Sequence, residues 1–100
     1  MKYDKLVRDK VPEVIRSKGG KCTTRIADER EFQEKLRWKL REEVEEFIEA
    51  QNEEELADLL EVIDAIIEFK KLDRKKTELI KSKKAEERGR FEKRIILEEA

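Results

Sequence analysis

The stretch that decides the fold runs from residue 42 to residue 58: Glu42-Glu43-Val44-Glu45-Glu46-Phe47-Ile48-Glu49-Ala50-Gln51-Asn52-Glu53-Glu54-Glu55-Leu56-Ala57-Asp58. Two acidic helical patterns meet there across Gln51-Asn52, a connection so short that the helices on either side should run antiparallel. Upstream, Phe32, Leu36, Leu40, Val44, Phe47 and Ile48 recur at helical spacing. Asp28, with Glu31 three residues later, makes a capping-box-like start with Asp at the cap. The spacing predicts a helix from there to about Ala50. Downstream, a second helix is predicted over about Glu53 to Lys71. Its Leu56, Leu59, Leu60, Val62, Ile63, Ile66, Ile67 and Phe69 leave it apolar around much of its circumference, so it should lie deepest in the core.

The acids of these helices do not all face water. With Leu36 at zero and ~100° per residue, the apolar arc of the first long helix spans about 320° through 80°. Glu42, Glu45 and Glu49 fall at roughly 180–240°, the solvent side, whereas Glu43 falls at about 340° and Glu46 at about 280°. The second long helix repeats the pattern. Glu61, Asp64 and Glu68 point to solvent, Glu55 sits in the middle of the apolar arc, and Asp58 lies on its edge. Each helix therefore sends one acid into the core face and another, three residues later, to the rim. An unpaired buried carboxylate costs several kcal/mol, so such groups need a cationic partner or a metal. Counted from the turn at ~1.5 Å per residue, the two pairs are level within a few ångströms. Four convergent carboxylates with no His or Cys would make an oxygen-only site suited to Mg²⁺ or Mn²⁺. Ion pairs to the abundant Lys and Arg are the alternative on pattern alone.

Working outward, a third and more polar helix is predicted from about Arg74 to Arg88, stopping at Gly89. Pro12 suits the first turn of a short helix that ends at Gly19-Gly20. Thr23–Ile26 and Arg94–Leu97 read as short extended segments. The expectation is an all-α, single-domain chain over residues 1–100. It would be an antiparallel helical bundle with two long core helices, a third basic helix and short extended ends, completed by oligomerisation.

Charge is sorted along the chain. Residues 28–69 hold 16 acidic and five basic side chains, whereas residues 70–94 hold 12 basic and five acidic ones. An acidic middle with basic flanks could hold a cation centrally and anionic groups around it. The 51% of charged residues is about twice the usual ~25%, which raises disorder as a reading. A formal net charge of only −1 and a full set of aliphatic side chains argue for a folded domain. With no His, Ser-His-Asp and Cys-His machinery and His-ligated zinc are excluded. The single Cys22 allows no internal disulfide, and no run is apolar enough for a membrane span, so a soluble cytoplasmic protein is expected.

Glu42-Glu43-Val44-Glu45-Glu46 followed by Glu55-Leu56-Ala57-Asp58 resembles the EExxE…ExxD signature of the MazG-like all-α nucleoside triphosphate pyrophosphohydrolases, a superfamily that includes phosphoribosyl-ATP pyrophosphohydrolases. Lys5-Leu6-Val7-Arg8-Asp9-Lys10-Val11-Pro12 and Lys84-Ala85-Glu86-Glu87-Arg88-Gly89-Arg90-Phe91 look like the ends of its small stand-alone, house-cleaning branch. The spacing between the motif halves is shorter than in many relatives, which implies a tighter helix connection. Glu61 and Asp64 form a second ExxD, set aside because both face solvent.

The resemblance implies Mg²⁺-dependent hydrolysis of nucleoside triphosphates, non-standard ones foremost, to monophosphate and pyrophosphate. Glu43, Glu46, Glu55 and Asp58 would be the metal and catalytic residues, with Mn²⁺ as a possible substitute ion. Lys84 and Arg88, four apart on one helical face, would grip the phosphate chain, with Arg8 and Lys10 as further substrate contacts. Self-association to a dimer or tetramer is implied as well. Trp38, opposite the core face, would mark an oligomer contact, stack on a base, or simply be part-exposed. Two other classes stand beside this reading: a non-catalytic helical interaction module, and nucleic-acid binding through the basic segment. The second is disfavoured because acidic residues interrupt that segment.

Overall fold

The computed structural model describes residues 4–100 and contains four helices: α1 (Val11–Ser17), α2 (Glu29–Ala50), α3 (Glu53–Lys70) and α4 (Arg74–Arg88). Each boundary has a local chemical cause. Asp28, Asn52 and Asp73 cap α2, α3 and α4, their side chains accepting from the amides of Glu31 at 2.8 Å, Glu55 at 2.9 Å and Lys76 at 3.1 Å. Pro12 lies in the first turn of α1, where its missing N–H is not needed. Gly19, with φ of +83°, adopts the left-handed conformation that closes that helix. Gln51 (φ 49°) and Lys71 (φ 55°) end α2 and α3 in the same region without the help of a glycine. Leu72 N–H donates to the Ile67 carbonyl at 3.0 Å and Lys71 N–H to the Glu68 carbonyl at 3.2 Å, a Schellman closure.

Between Gln51 and Asn52 the chain reverses, and α2 and α3 form an antiparallel hairpin. Extensive helix–helix packing among the described residues is confined to this pair. At the end far from the turn, the Phe32 and Phe69 rings meet edge to face, centroids 5.1 Å apart. Lys70 Nζ beside them donates to Gln33 Oε1 at 2.9 Å. Leu36 and Val62 are buried in the middle of the hairpin, and Glu43 near the turn. An N-terminal arm, residues 5–10, lies across the helix pair. Lys5 Nζ reaches Glu42 Oε1 at 3.3 Å on α2, and Arg8 Nη2 reaches Asp58 Oδ1 at 2.8 Å on α3. The Arg25 guanidinium forks onto both oxygens of Glu31, tying the α1–α2 connection to the start of α2. One ion pair, Arg74 Nη2 to Asp64 Oδ1 at 2.6 Å, links the start of α4 to α3.

The helix boundaries agree with the sequence reading; two other expectations do not. α3 is not the most deeply buried helix. Only Val62 of α3 is buried, against Leu36 and Glu43 of α2, and Leu56, Leu60 and Ile63 form an open stripe at i, i+4, i+7 spacing. A single partner helix covers one face, so a second apolar face is left over. The segments Thr23–Ile26 and Arg94–Leu97 form no strand. Neither has a neighbour to supply ladder hydrogen bonds, and Ile26, Ile95, Ile96 and Leu97 are exposed. The radius of gyration is 18.2 Å, whereas a compact domain of this length has about 13 Å. No described helix is long and apolar enough to cross a membrane.

The Asn52 cap gives a stability test of the hairpin. Asn52→Ala should lower unfolding free energy by about 1 kcal/mol in urea titrations, and Asn52→Asp should leave it nearly unchanged. Equal losses in both would mean that the cap does not set the turn.

Candidate metal centre

Because the α2–α3 turn is only two residues long, positions just before it on α2 face positions just after it on α3. Glu43 thus meets Glu55 and Asp58. One carboxylate oxygen from each of the three residues lies within 4.8 Å of the other two. Glu43 is 5% exposed, although α2 carries charge on most of its surface. Glu55 and Asp58 are half-buried. Glu55 is the third residue of α3, where a capping-box glutamate would fold back onto the amide of its own cap. It turns inward instead, and its Oε2 is buried without a hydrogen-bond partner, as is Oε2 of Glu43.

Three cations border this cluster. Lys39, one helical turn before Glu43, places Nζ 3.3 Å from Glu43 Oε1 and 3.6 Å from Glu42 Oε2. Arg8 holds Asp58 from the arm, and Lys5 holds Glu42. These contacts satisfy one oxygen of Glu43 and one of Asp58 and leave the two buried Oε2 atoms unanswered. No ion pair among the described residues includes Glu55. Burial pushes the Glu43 carboxyl above its ordinary value of 4.5; the Lys39 ammonium pulls it back and the nearby Glu46 carboxylate pushes it up again.

The four sequence-derived acids therefore divide three and one. Glu43, Glu55 and Asp58 converge, while Glu46 is exposed and stands outside the triad, close enough to Glu43 to raise its pKa. Of the basic candidates, Arg8 reaches the cluster. Lys10 is the residue at the N-cap of α1 and makes no ion pair among the described residues. Lys84 and Arg88 are exposed on α4, and no described hydrogen bond or ion pair joins them to the acids. They do share a helical face, but α4 packs against neither arm of the hairpin over any length, so that face is not carried to the site. The sequence reading does not single out Lys39, although its i, i+4 spacing to an inward-facing glutamate is a legible signal.

Three carboxylates with two unanswered buried oxygens make an all-oxygen donor group that could hold a metal ion. Compared with protein-family models, with curated proteins and with solved structures, the chain matches none of them.

The raised Glu43 pKa fixes the sign of a pH effect. An acid protonated more readily in the folded than in the unfolded chain loses stability as pH rises from its unfolded value through its folded one. In metal-free buffer, Glu43→Gln should therefore be more stable than the wild type at pH 7. The difference should close as pH falls below the ordinary value of 4.5. Thermal melts of both proteins across that range check it, and a gap independent of pH would contradict it.

Proposed function

We propose that this protein is a Mg²⁺-dependent nucleoside triphosphate pyrophosphohydrolase that clears non-standard nucleotides, with Mn²⁺ as an alternative ion. The observation that carries the reading is that Glu43 and Glu55 each keep a buried oxygen, Oε2, without a hydrogen-bond partner, in a group that with Asp58 brings one carboxylate oxygen from each residue within 4.8 Å of the others. The sequence motifs that resemble MazG-like enzymes supply the reaction. Water attacks the α-phosphorus, the bridging bond to the β-phosphate breaks, and monophosphate and pyrophosphate leave.

In this reading Glu43, Glu55 and Asp58 hold the ion. When bound, Mg²⁺ supplies charge neutralisation at phosphate oxygens and acidifies water. Glu46, exposed beside Glu43, is placed to accept a proton at its carboxylate. Arg8 and Lys39 neutralise Asp58 and Glu43 in the ion-free chain; with the ion in place they are free to turn to phosphate oxygens. Lys84 and Arg88 would serve the phosphate chain only from another copy of the protein.

The competing reading treats the acids as structural partners of Arg8 and Lys39, and those two contacts favour it. It leaves Glu55 without a role. Glu55→Gln separates the two. As direct ligands matter more than outer partners worth 10–100-fold, the change should lower pyrophosphate release by about 100-fold or more. It should leave the metal-free melting temperature equal or higher, because crowding among acids is relieved, and should abolish most of the Mg²⁺-induced rise. Glu61→Gln, on the exposed face, is the control. A destabilised, active and metal-insensitive Glu55→Gln would end the metal reading; orthophosphate as the primary product would end the α–β cleavage.

Self-association belongs to the same proposal. The open Leu56, Leu60 and Ile63 stripe and the extended shape support a second copy as its cover. Sedimentation should give a dimer or tetramer, and Leu60→Asp should shift it toward monomer. A monomeric wild type at tens of micromolar, on the order of the concentrations where such contacts form, would remove this element.

A further inference from the structure

A cleft of about 530 Å³ lies between the N-terminal arm and the outer side of α2. Its apolar wall is Leu6 and Trp38, and its cationic groups are Lys5, Lys35, Lys39 and Arg41. Trp38 is 61% exposed, and the Arg41 guanidinium carbon lies 5.9 Å from the centre of its ring. An indole this exposed, on a helix face otherwise covered with charge, offers an apolar π-surface that the described residues leave mostly open. Lys39 belongs to both places, lining the cleft while its Nζ contacts Glu43 Oε1.

We propose that this cleft is the nucleoside half of a nucleotide site, with the Trp38 indole as the platform for the base and Lys39 as the bridge to the phosphates. The assignment deepens the hydrolase reading and rests on it, since it takes the Glu43, Glu55 and Asp58 cluster as the phosphate end. Trp38 lies five residues before Glu43, about 7.5 Å along the helix axis and about 140° around it, and Lys39 spans that separation by lining the cleft while contacting Glu43. Three acids, Asp4, Glu42 and Glu45, also line the cleft, but Glu42 is already held by Lys5 and Lys39. A polyphosphate would enter against the cations, with Arg41 beside the base as donor and planar stacking partner.

The chemistry also sets the selectivity. Stacking reads the π-face that every base shares and is indifferent to the hydrogen-bonding edge. The site should therefore accept bases whose edge is chemically altered, and its discrimination should lie between nucleotides and a phosphate chain without a base.

Trp38 is the only tryptophan, so its fluorescence reports this cleft alone. With Mg²⁺ present, an α,β-methylene nucleoside triphosphate should quench the emission saturably, and tripolyphosphate should not. By calorimetry, Trp38→Leu should weaken binding of the analogue about tenfold and leave tripolyphosphate unaffected, and Trp38→Phe should restore most of the loss. A circular dichroism melt checks that both variants fold. The inference is overturned if the analogue does not bind, if it binds without quenching, or if Trp38→Leu binds it like the wild type. It is equally overturned if the emission responds to protein concentration, together with subunit dissociation, and not to nucleotide; Trp38 would then be a subunit contact. The two readings fail separately. Quenching retained without pyrophosphate release overturns the hydrolase alone, whereas release with an unchanged KM in Trp38→Leu overturns the base platform alone.

Discussion

A carboxylate in the interior of a two-helix hairpin is the constraint around which the rest of this molecule is arranged. Few apolar side chains are fully buried there: Leu36 and Val62 are, with the Phe32–Phe69 contact at the far end of the hairpin. Into that interior the chain places Glu43, more deeply buried than every residue of α3, Val62 by a narrow margin. Its neighbours answer only part of the charge. Lys39 takes one oxygen, the arm brings Arg8 to Asp58, and two buried oxygens are left without a hydrogen-bond partner. A structure selected for stability alone would place leucine at such positions. The unanswered oxygens are what give the metal reading its physical content.

The N-terminal arm takes its meaning from this cluster. It has no regular structure before α1, and its contacts to the helix pair are the charged ones through Lys5 and Arg8. Both are exposed ion pairs, each worth at most about 1 kcal/mol and weakened by salt. One of the two, Arg8–Asp58, draws on a carboxylate of the triad. Under the proposed metal reading, an ion at the triad would compete with Arg8 for Asp58.

How much of this was legible depended on whether the signal was local. The ends of α2 and α4 could be read from Asp28 and Gly89 because a cap is a matter of three or four neighbouring residues. The inward turn of Glu43 and Glu55 could be read because the wheel is also local, and the short Gln51-Asn52 connection then set the register that brings them together. Glu46, on the edge of its arc, fell outside, since an edge position commits a side chain to neither side. Lys84 and Arg88 failed for a different reason. Their helix is placed by tertiary contacts, of which Arg74–Asp64 is the one ion pair described, and no periodicity encodes it. The depth of α3 was misread because apolarity on two faces looks the same whether both are covered within one chain or one waits for another.

The short turn has a consequence for how the protein reaches this state. Glu43 and Asp58 are the outer limits of a site contained within sixteen consecutive residues. Closing so short a loop costs little entropy, and helical hairpins rich in near-neighbour contacts are among the fastest elements to form. The acids are thus brought together at the nucleus of folding, before the arm or α4 has docked. Repulsion among them would oppose that step, and a divalent cation, if the proposed site binds one, would ease it. The ion would then be a folding partner of the hairpin as much as a reagent.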